Sequence, residues 1–342
     1  MGVQLGTLAV KEELALSDLR GRTLAVDASS IIHQFLALVR YPTGVPLVDS
    51  EGRVTSSLAG LFYRSTKLIY RHGIDLVFVF DGKRPPIKFS WLTEGEREKR
   101  RERFEKTLLD WKGALQRGDI RTAFSKAVTT GMIDFDIIGD AKRLLHLLGI
   151  PMVQAPGEAE AQASLIASRG EAWAVNSRDF DCLLFGAPRM ARYISIAGIY
   201  RGVGMPSRPE VFELKTTLKK LGLTRSQLID MCILMGTDYN RGIKGIGPKT
   251  AYNLVRRHGS LERVPPEIGL LLPDNVDEIR NNFKKPRVED AYELTAGDLD
   301  REGVVEFLCV ERGFREKSVR STLEKMVRAE APGKQSSLGS WF

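Results

Sequence analysis

The chain is poor in cysteine and histidine and has no long apolar run. It holds three cysteines and four histidines in 342 residues. Cys182, Cys232 and Cys309 are odd in number and far apart, which argues against a disulfide scaffold and against a zinc site. The histidines are scattered too, so a histidine metal site is not expected. The absence of a signal peptide and of a membrane-length apolar run predicts a soluble protein of a reducing compartment, without membrane contact.

The overall composition is that of a globular protein with a basic surface. Hydrophobic residues make up 43% of the chain, and 51 lysines and arginines against 43 aspartates and glutamates give a formal net charge of +8. The length allows a large core and about two domains. A positive excess favours polyanionic partners, of which nucleic acid is the leading candidate. From net charge alone, a charge that only keeps the protein soluble is an equal alternative.

Acidic residues recur at the ends of apolar runs and in pairs. Asp27 follows Leu24–Val26, and Asp81 follows Leu76–Phe80. Seven acids form the set: Asp27, Asp81, Glu158, Glu160, Asp179, Asp181 and Asp238. Because open α/β sheets place ligands at the carboxyl ends of their strands, we expect these carboxylates to converge there and to repel one another.

Seven converging carboxylates favour a site for hard divalent cations such as Mg²⁺ or Mn²⁺. Two such ions can activate a water and stabilise the leaving oxygen of a phosphodiester. Any one of the acids could instead be a helix cap or a surface charge. The set as a whole favours the metal site.

Strand-like and helix-like patterns alternate along the chain, which predicts an α/β fold. Strands are predicted at residues 22–27, 75–80, 151–154, 172–175, 183–185 and 192–195. Helices are predicted at residues 55–71, 138–148 and 156–169, with another that Ser29 caps and that runs toward Arg40. This alternation is typical of a mostly parallel central sheet with helices on both faces. From residue 210 onward the pattern is mostly helical.

A dense run of charge interrupts the alternation between residues 83 and 117. Basic residues outnumber acids there, and apolar residues are sparse before Phe104. A helix with so weak an apolar face cannot lie in the core. The segment is therefore either a solvated excursion or a basic arm for a polyanion.

A Gly-rich segment at residues 242–251 has the features of a phosphate-binding turn. Glycines allow tight turns, and Pro248 suits the first turn of a following helix. Backbone amides at that helix start, with Lys244 and Lys249 nearby, would hold a phosphate without reading base sequence. The alternative is an ordinary Gly-rich loop.

The last residues combine a polar tail with an apolar end. Residues 329–342 have little apolar content before the end and predict a flexible tail. Leu338, Trp341 and Phe342 are spaced so that one helical turn presents them as a single apolar plug for a partner. The alternative is a tail that folds back onto its own domain.

Together these segments resemble the flap endonuclease family of structure-specific 5′ nucleases, in its archaeal and eukaryotic branch. The resemblance covers essentially the full length and depends on several motifs in combination. They are MGVQ at 1–4, VDAS at 26–29, FVFDGK at 78–83, APGEAEA at 155–161, DFDCLLFG at 179–186 and GTDY at 236–239.

The resemblance implies that all seven acids bind the catalytic metals and that Lys88 and Arg100 form a catalytic basic pair. Residues 83–135 would be a helical arch through which a single-stranded 5′ flap threads. The Gly-rich segment would be a helix–two-turn–helix that grips duplex DNA and holds K⁺. The implied DNA contacts are His33, Arg40, Thr55, Arg64, Lys244, Gly245, Gly247 and Lys249. The end of the chain would be a peptide for the sliding clamp PCNA, with Gln335, Leu338, Trp341 and Phe342 at its key positions.

Three features depart from the family pattern. His33 stands where a tyrosine commonly stacks on a base, and imidazole offers less area for stacking. Gly242 stands where some members have a serine whose hydroxyl helps to hold K⁺. A longer arch entry leaves Arg97 and Arg101 as alternatives to Arg100.

The expected protein is a monomeric, Mg²⁺-dependent flap endonuclease of DNA replication and repair, with 5′–3′ exonuclease activity on nicks and gaps. The alternatives are a related 5′–3′ repair exonuclease, a small acid-cluster RNase domain, and a non-catalytic clamp-associated DNA-binding protein. A cytoplasmic, nucleoid-associated location in a cell without a nucleus is expected. The expected organisation is one nuclease domain followed by the tail, with boundaries at 1–82, 83–135, 136–235, 236–328 and 329–342.

Overall fold

The computed structural model places a mixed β-sheet at the centre of the molecule. The structure describes residues 3–39, 41, 46–119, 122, 135–195 and 208–330. Its strands are β1 (Lys11–Glu13), β2 (Thr23–Asp27), β3 (Asp75–Phe80), β4 (Met152–Gln154), β5 (Ala174–Asn176), β6 (Arg189–Arg192) and β7 (Glu210–Glu213). Within these described ranges the seven strands form one sheet in the order β1-β7-β6-β5-β2-β3-β4.

The five central strands of the chain's α/β part run parallel. Strand β2 pairs with β3 and β5, β3 pairs with β4, and β5 pairs with β6, all in parallel. Strand β7 pairs antiparallel with both β6 and β1. The predicted mostly parallel sheet is therefore confirmed, with an antiparallel pair added at one edge.

Helices cover both faces of the sheet. The α-helices are α1 (Ala28–Leu38), α2 (Ser56–Gly60), α3 (Thr66–His72), α4 (Glu94–Gln116), α5 (Phe135–Leu147), α6 (Ala159–Ser168), α7 (Asp181–Phe185), α8 (Leu214–Leu221), α9 (Arg225–Met235), α10 (Pro248–His258), α11 (Pro266–Gly269), α12 (Val276–Lys284), α13 (Arg301–Val305) and α14 (Glu316–Glu330). Short 3₁₀ segments lie at Leu16–Leu19 and Leu261–Arg263, and π-helical turns at Leu61–Ser65 and Glu306–Glu311. No helix in the described ranges combines the length and apolar character that a membrane crossing needs.

The core consists of two apolar clusters, one on each face of the sheet. Leu76, Phe78 and Phe80 belong to one cluster, and Val77 and Val79 of the same strand belong to the other. This follows from the alternation of side chains along a strand. A strand buried on both faces reads as a continuous apolar run, which is why β3 was predictable at its observed bounds.

Two predicted strands are wrong or displaced. Residues 183–185 lie in helix α7, which ends at Gly186 with a left-handed φ of 99°. A short apolar run does not distinguish a buried strand from a buried helix. The strand predicted at 192–195 ends instead at Arg192, because Tyr193 has a φ of 63° that breaks the extended chain.

Two strands were not predicted, and one predicted helix cap is wrong. Strand β7 lies in the region predicted to be mostly helical, and β1 was not predicted, because its three residues are all exposed and carry no apolar pattern. Helix α1 is capped by Asp27, whose carboxylate accepts from the Ser30 amide at 3.0 Å. Ser29 lies inside the helix and donates its hydroxyl to Asp81.

A buried ion pair joins helices α9 and α12. Arg280 donates from Nε and Nη2 to the two oxygens of Asp230, at 2.6 and 2.9 Å. Asp230 is 4% exposed. The guanidinium also bonds Glu262, and it lowers the pKa of that carboxyl to about 2. The Gly-rich segment lies between these two helices in the chain, so the pair helps to fix the frame that carries it.

Replacing Arg280 with methionine is expected to lower the free energy of unfolding by about 3 kcal/mol or more, because Asp230 is left buried without its partner. Arg320→Met is the control. Arg320 pairs with Glu302 and Glu316 on the surface, and such pairs contribute at most about 1 kcal/mol. Urea unfolding of both variants measures the difference. Equal small losses would show that Asp230 is readily hydrated.

Candidate metal centre and DNA-binding surface

The seven acids predicted from the sequence meet at the carboxyl edge of the sheet. Asp27 ends β2, Asp81 follows β3, and Asp179 follows β5. A cleft of about 660 Å³ is lined by Asp27, Asp81, Glu158, Glu160, Asp179 and Asp238. Asp181 adjoins this lining, because its amide donates to Asp179 at 3.4 Å, and it is itself 2% exposed. The fold thus brings together carboxylates from five separate segments of the chain.

Hydrogen bonds fix the orientation of the carboxylates. Asp81 accepts from the Ser29 hydroxyl at 2.6 Å and from the Ala159 amide at 2.9 Å. The Ser177 hydroxyl lies 3.0 Å from both Asp27 and Glu160. Because a hydroxyl has one hydrogen to donate, it can bond both carboxyl groups at once only when one of them carries a proton.

Burial and mutual repulsion favour protonation of these acids. Burial, followed by the charge of Asp81, raises the pKa of Asp27 to about 7. Burial and neighbouring carboxylates raise the pKa of Glu160 and Asp181 well above the usual range, and burial also raises the pKa of Asp179. A group of acids in this state binds either protons or cations. Cation binding must release protons, so affinity for a divalent ion rises with pH.

The donor set suits a hard divalent cation. Glu160, Asp179 and Asp181 each offer a carboxylate oxygen, and the three oxygens lie within 4.8 Å of one another. Oxygen donors of this kind are the ligands that Mg²⁺ and Mn²⁺ prefer. The geometry therefore fits the metal centre that the sequence predicts, without distinguishing these ions.

Lys88 lies directly against two of the acids. Its ammonium pairs with Glu158 and, at 3.1 Å, with Asp238. Burial lowers the pKa of Lys88, but the two carboxylates outweigh burial and raise it above its usual value. Lys88 therefore remains a cation in the cleft.

Tyr239 is a site residue to which the sequence analysis assigned no role. Its hydroxyl donates to the second oxygen of Glu158, opposite Lys88. The side chain is 1% exposed, and its ring meets Phe283 edge-on with centroids 5.1 Å apart. Its position directly after Asp238 was the available signal. Tyr239 holds Glu158 in one orientation, as groups behind metal ligands commonly do.

Tyr239→Phe is expected to weaken Mg²⁺ or Mn²⁺ binding about tenfold to hundredfold, because Glu158 loses the group that orients it. Tyr292→Phe is the matched control, since that hydroxyl bonds Glu171 on the surface. Calorimetric titration of each variant with Mn²⁺ measures the affinity directly. Unchanged affinity in Tyr239→Phe would mean that Glu158 is oriented without the hydroxyl.

Two arginines in the cleft were also missed by the sequence analysis. Arg178 and Arg192 line the same cleft as the acids. The Arg192 guanidinium lies 4.8 Å from the ring centroid of Tyr193 and 5.3 Å from that of Phe180. With Lys88, these residues place positive charge beside the carboxylates, as a phosphate backbone requires.

The predicted DNA contacts near the cleft occupy different environments. His33 lines the cleft, and burial lowers its pKa. Arg64 is half-buried, whereas Thr55 is only 4% exposed. Arg40 lies outside the described residues.

The Gly-rich segment presents its predicted contacts to solvent. Lys244, Gly245, Gly247 and Lys249 are all exposed. Gly247 precedes α10, and Pro248 occupies the first turn of that helix, as predicted. A Cβ on Gly242 would lie 2.0 Å from the Met235 carbonyl oxygen. Glycine is therefore required at position 242 by this backbone, and a serine would not fit.

The predicted arch basic residues and tail are only partly described. Arg100 lies in α4, and its side chain is outside the described part of the structure. Of its alternatives, Arg97 bonds the Ser90 carbonyl at 2.6 Å and Arg101 pairs with Glu98. The clamp-binding residues Gln335, Leu338, Trp341 and Phe342 lie outside the described residues.

Comparison with known proteins accords with this site. Residues 1–106 match the XPG N-terminal domain, and residues 149–238 match the XPG I-region. Flap endonuclease 1 of Methanothermobacter thermautotrophicus is 43% identical over 343 residues, which cover 100% of both chains. This chain belongs to the flap endonuclease family. The family predicted from the sequence motifs is therefore confirmed, and with it a nuclease activity.

Solved structures of the family and of a more distant protein have the same fold. Flap endonuclease-1 from Methanococcus jannaschii is 34% identical, with a TM-score of 0.76 over 96% of this chain and 98% of the other. The catalytic core of Rad2, solved with a DNA substrate, is 23% identical, with a TM-score of 0.69 over 95% of this chain and 100% of that core. At that identity the second similarity concerns the fold alone.

Proposed function

We propose that this flap endonuclease cuts 5′ flaps from branched DNA by phosphodiester hydrolysis that depends on Mg²⁺, with Mn²⁺ as a substitute. The observation that carries the proposal is the convergence of seven carboxylates and Lys88 on one cleft at the sheet edge. The same site would also remove nucleotides from a 5′ end at a nick or gap.

The chain's own residues would bind and orient the substrate. Exposed amides and the lysines at 244 and 249 hold the duplex through its phosphates, which is independent of base sequence. Lys88 and the cleft arginines place positive charge where the scissile phosphate enters. Divalent cations bound by the carboxylates would polarise that phosphate and lower the pKa of the attacking water. Helix α4, exposed and rich in charge, would form one side of the passage for the single-stranded flap.

A double-flap DNA substrate tests this proposal. Cleavage sized on a denaturing gel is expected with Mg²⁺ or Mn²⁺ and is expected to be lost with EDTA. Duplex binding, measured by anisotropy at constant ionic strength, should largely survive EDTA because the phosphate contacts do not need the metal. Lack of cleavage with either ion, in protein that binds the substrate, would refute the proposed reaction. Binding without any cleavage would instead support the non-catalytic alternative.

The C-terminal peptide is proposed to bind the sliding clamp PCNA. Its aromatic pair and the leucine at 338 are spaced so that one helical turn would present them as a single apolar plug. Deleting residues 335–342 is expected to leave intrinsic flap cleavage within about twofold, because none of the seven acids nor Lys88 lies there. Clamp binding measured by calorimetry should be lost, since buried aromatic anchors dominate such interfaces. Undiminished clamp binding by the truncated chain would place the interface elsewhere.

A further inference from the structure

The segment that precedes helix α4 is bonded to the segment that carries Asp238. The Asp238 carbonyl accepts from the Phe89 amide at 2.9 Å and from the Trp91 indole Nε1 at 3.2 Å. Phe89 adopts a left-handed φ of 62°, a conformation that is costly for a bulky residue. Such strain persists only where surrounding contacts impose it. The two bonds to Asp238 are contacts of that kind.

Arg241 extends this connection to the first turn of α4. Its guanidinium lies 5.4 Å from the ring centroid of Trp91 and pairs with Glu96. The other oxygen of Glu96 accepts from the Thr93 amide at 3.0 Å and from the Thr93 hydroxyl at 2.9 Å. The Thr93 hydroxyl oxygen in turn accepts from the Glu96 amide at 3.3 Å. Glu96 is thus the acidic member of the capping box that starts α4, and Arg241 holds that member from outside the helix.

The positions of these residues along the chain make the connection relevant to catalysis. Lys88 immediately precedes Phe89, and Arg241 immediately precedes Gly242 at the start of the Gly-rich segment. One side of the contact therefore carries the cleft ammonium and the start of α4. The other side carries Asp238 and leads into the turn proposed to hold duplex DNA.

We propose that Trp91, Glu96 and Arg241 form a clasp that sets the start of α4, and with it Lys88, at a fixed position over the carboxylates. The three are positioning residues, since none of them lines the cleft. This inference rests on the proposed function. The clasp would mean that direct contact fixes the position of α4 relative to the Gly-rich segment proposed to hold duplex DNA.

The clasp acts on position and contributes little to stability. The Arg241 and Glu96 side chains are 59% and 36% exposed, and exposed ion pairs stabilise a fold only slightly. A small displacement near reacting groups can nevertheless slow a reaction greatly. Single substitutions at the clasp should therefore slow cleavage in protein whose melting temperature is nearly unchanged.

Charge reversal tests the proposal. Arg241→Glu and Glu96→Arg are each expected to slow single-turnover cleavage of a double flap about tenfold at saturating enzyme, since a misplaced group costs up to about a hundredfold. The double variant restores the ion pair in reverse, without the bonds from Thr93 to the residue 96 carboxylate, and should recover part of the rate. Arg320→Glu with Glu302→Arg is the matched control, because that surface pair is not among the residues that line the cleft.

Hydrogen exchange of the backbone amides at 94–98, in protein without DNA or metal, provides a readout that does not depend on cleavage. Faster exchange in each single variant and recovery in the double variant would support the clasp. Wild-type rates in both single variants, or a double variant no better than the slower single one, would overturn it. If the wild-type protein binds flaps but does not cut them, the proposed function is refuted and the clasp is not. The exchange result tests the clasp independently of cleavage.

Discussion

Asp181→Ala is expected to lose roughly a thousandfold in flap cleavage, comparable to the loss of a major source of transition-state stabilisation. Asp181 is buried, and its carboxylate accepts from the Val3 amide at 3.3 Å while it lies beside Asp179 and Glu160. Removing it takes away one of three convergent oxygen donors. The loss also reduces the mutual repulsion that a cation relieves when it binds. The divalent cation is therefore bound more weakly.

Substrate binding by Asp181→Ala should be unchanged or tighter. The variant removes an acid from beside the cleft, which lessens repulsion of phosphate, and the exposed lysines proposed to bind duplex are untouched. Asp290→Ala is the control, since that carboxylate pairs with Arg169 on the surface. Single-turnover cleavage with Mg²⁺ and anisotropy with the same substrate separate the two effects. A near wild-type rate for Asp181→Ala would rule out its assignment as a metal ligand.

Lys88→Ala is expected to slow the chemical step about a hundredfold and to weaken binding much less. The ammonium is held between Glu158 and Asp238, where neighbouring carboxylates keep it charged. A cation fixed in this way would act on charge that develops on the phosphate during hydrolysis. Only an interaction that is stronger in the transition state raises the rate.

Lys249→Ala provides the contrast for Lys88. Lys249 is exposed beside the start of α10, so its loss should weaken binding to all duplexes alike and reduce the salt slope by about one. Single-turnover rates at saturating enzyme distinguish the two lysines, because saturation removes effects on affinity. An unchanged rate in Lys88→Ala would reassign Lys88 to simple phosphate contact.

The local pattern of the sequence was sufficient for four of the five parallel strands, β2 to β5. Strand β3 is a continuous apolar run, and such runs predict strands buried on both faces. The pattern was insufficient where it was short or polar. Residues 183–185 form a helix instead of a strand, and β1 is fully exposed. A three-residue segment carries too few side chains to reveal its periodicity.

The sequence by itself determined which residue types lie at the carboxyl edge of the sheet. A residue that directly follows a buried strand must lie at the end of that strand, and several of the acids do so. That made the convergence of seven carboxylates predictable, and the combined motifs identified the family. Only the tertiary structure decided how those acids are held. Tyr239 meets Glu158 across 81 residues, and Arg241 meets Glu96 across 145. Contacts over such separations depend on how helices pack against the sheet, and no local pattern encodes that packing.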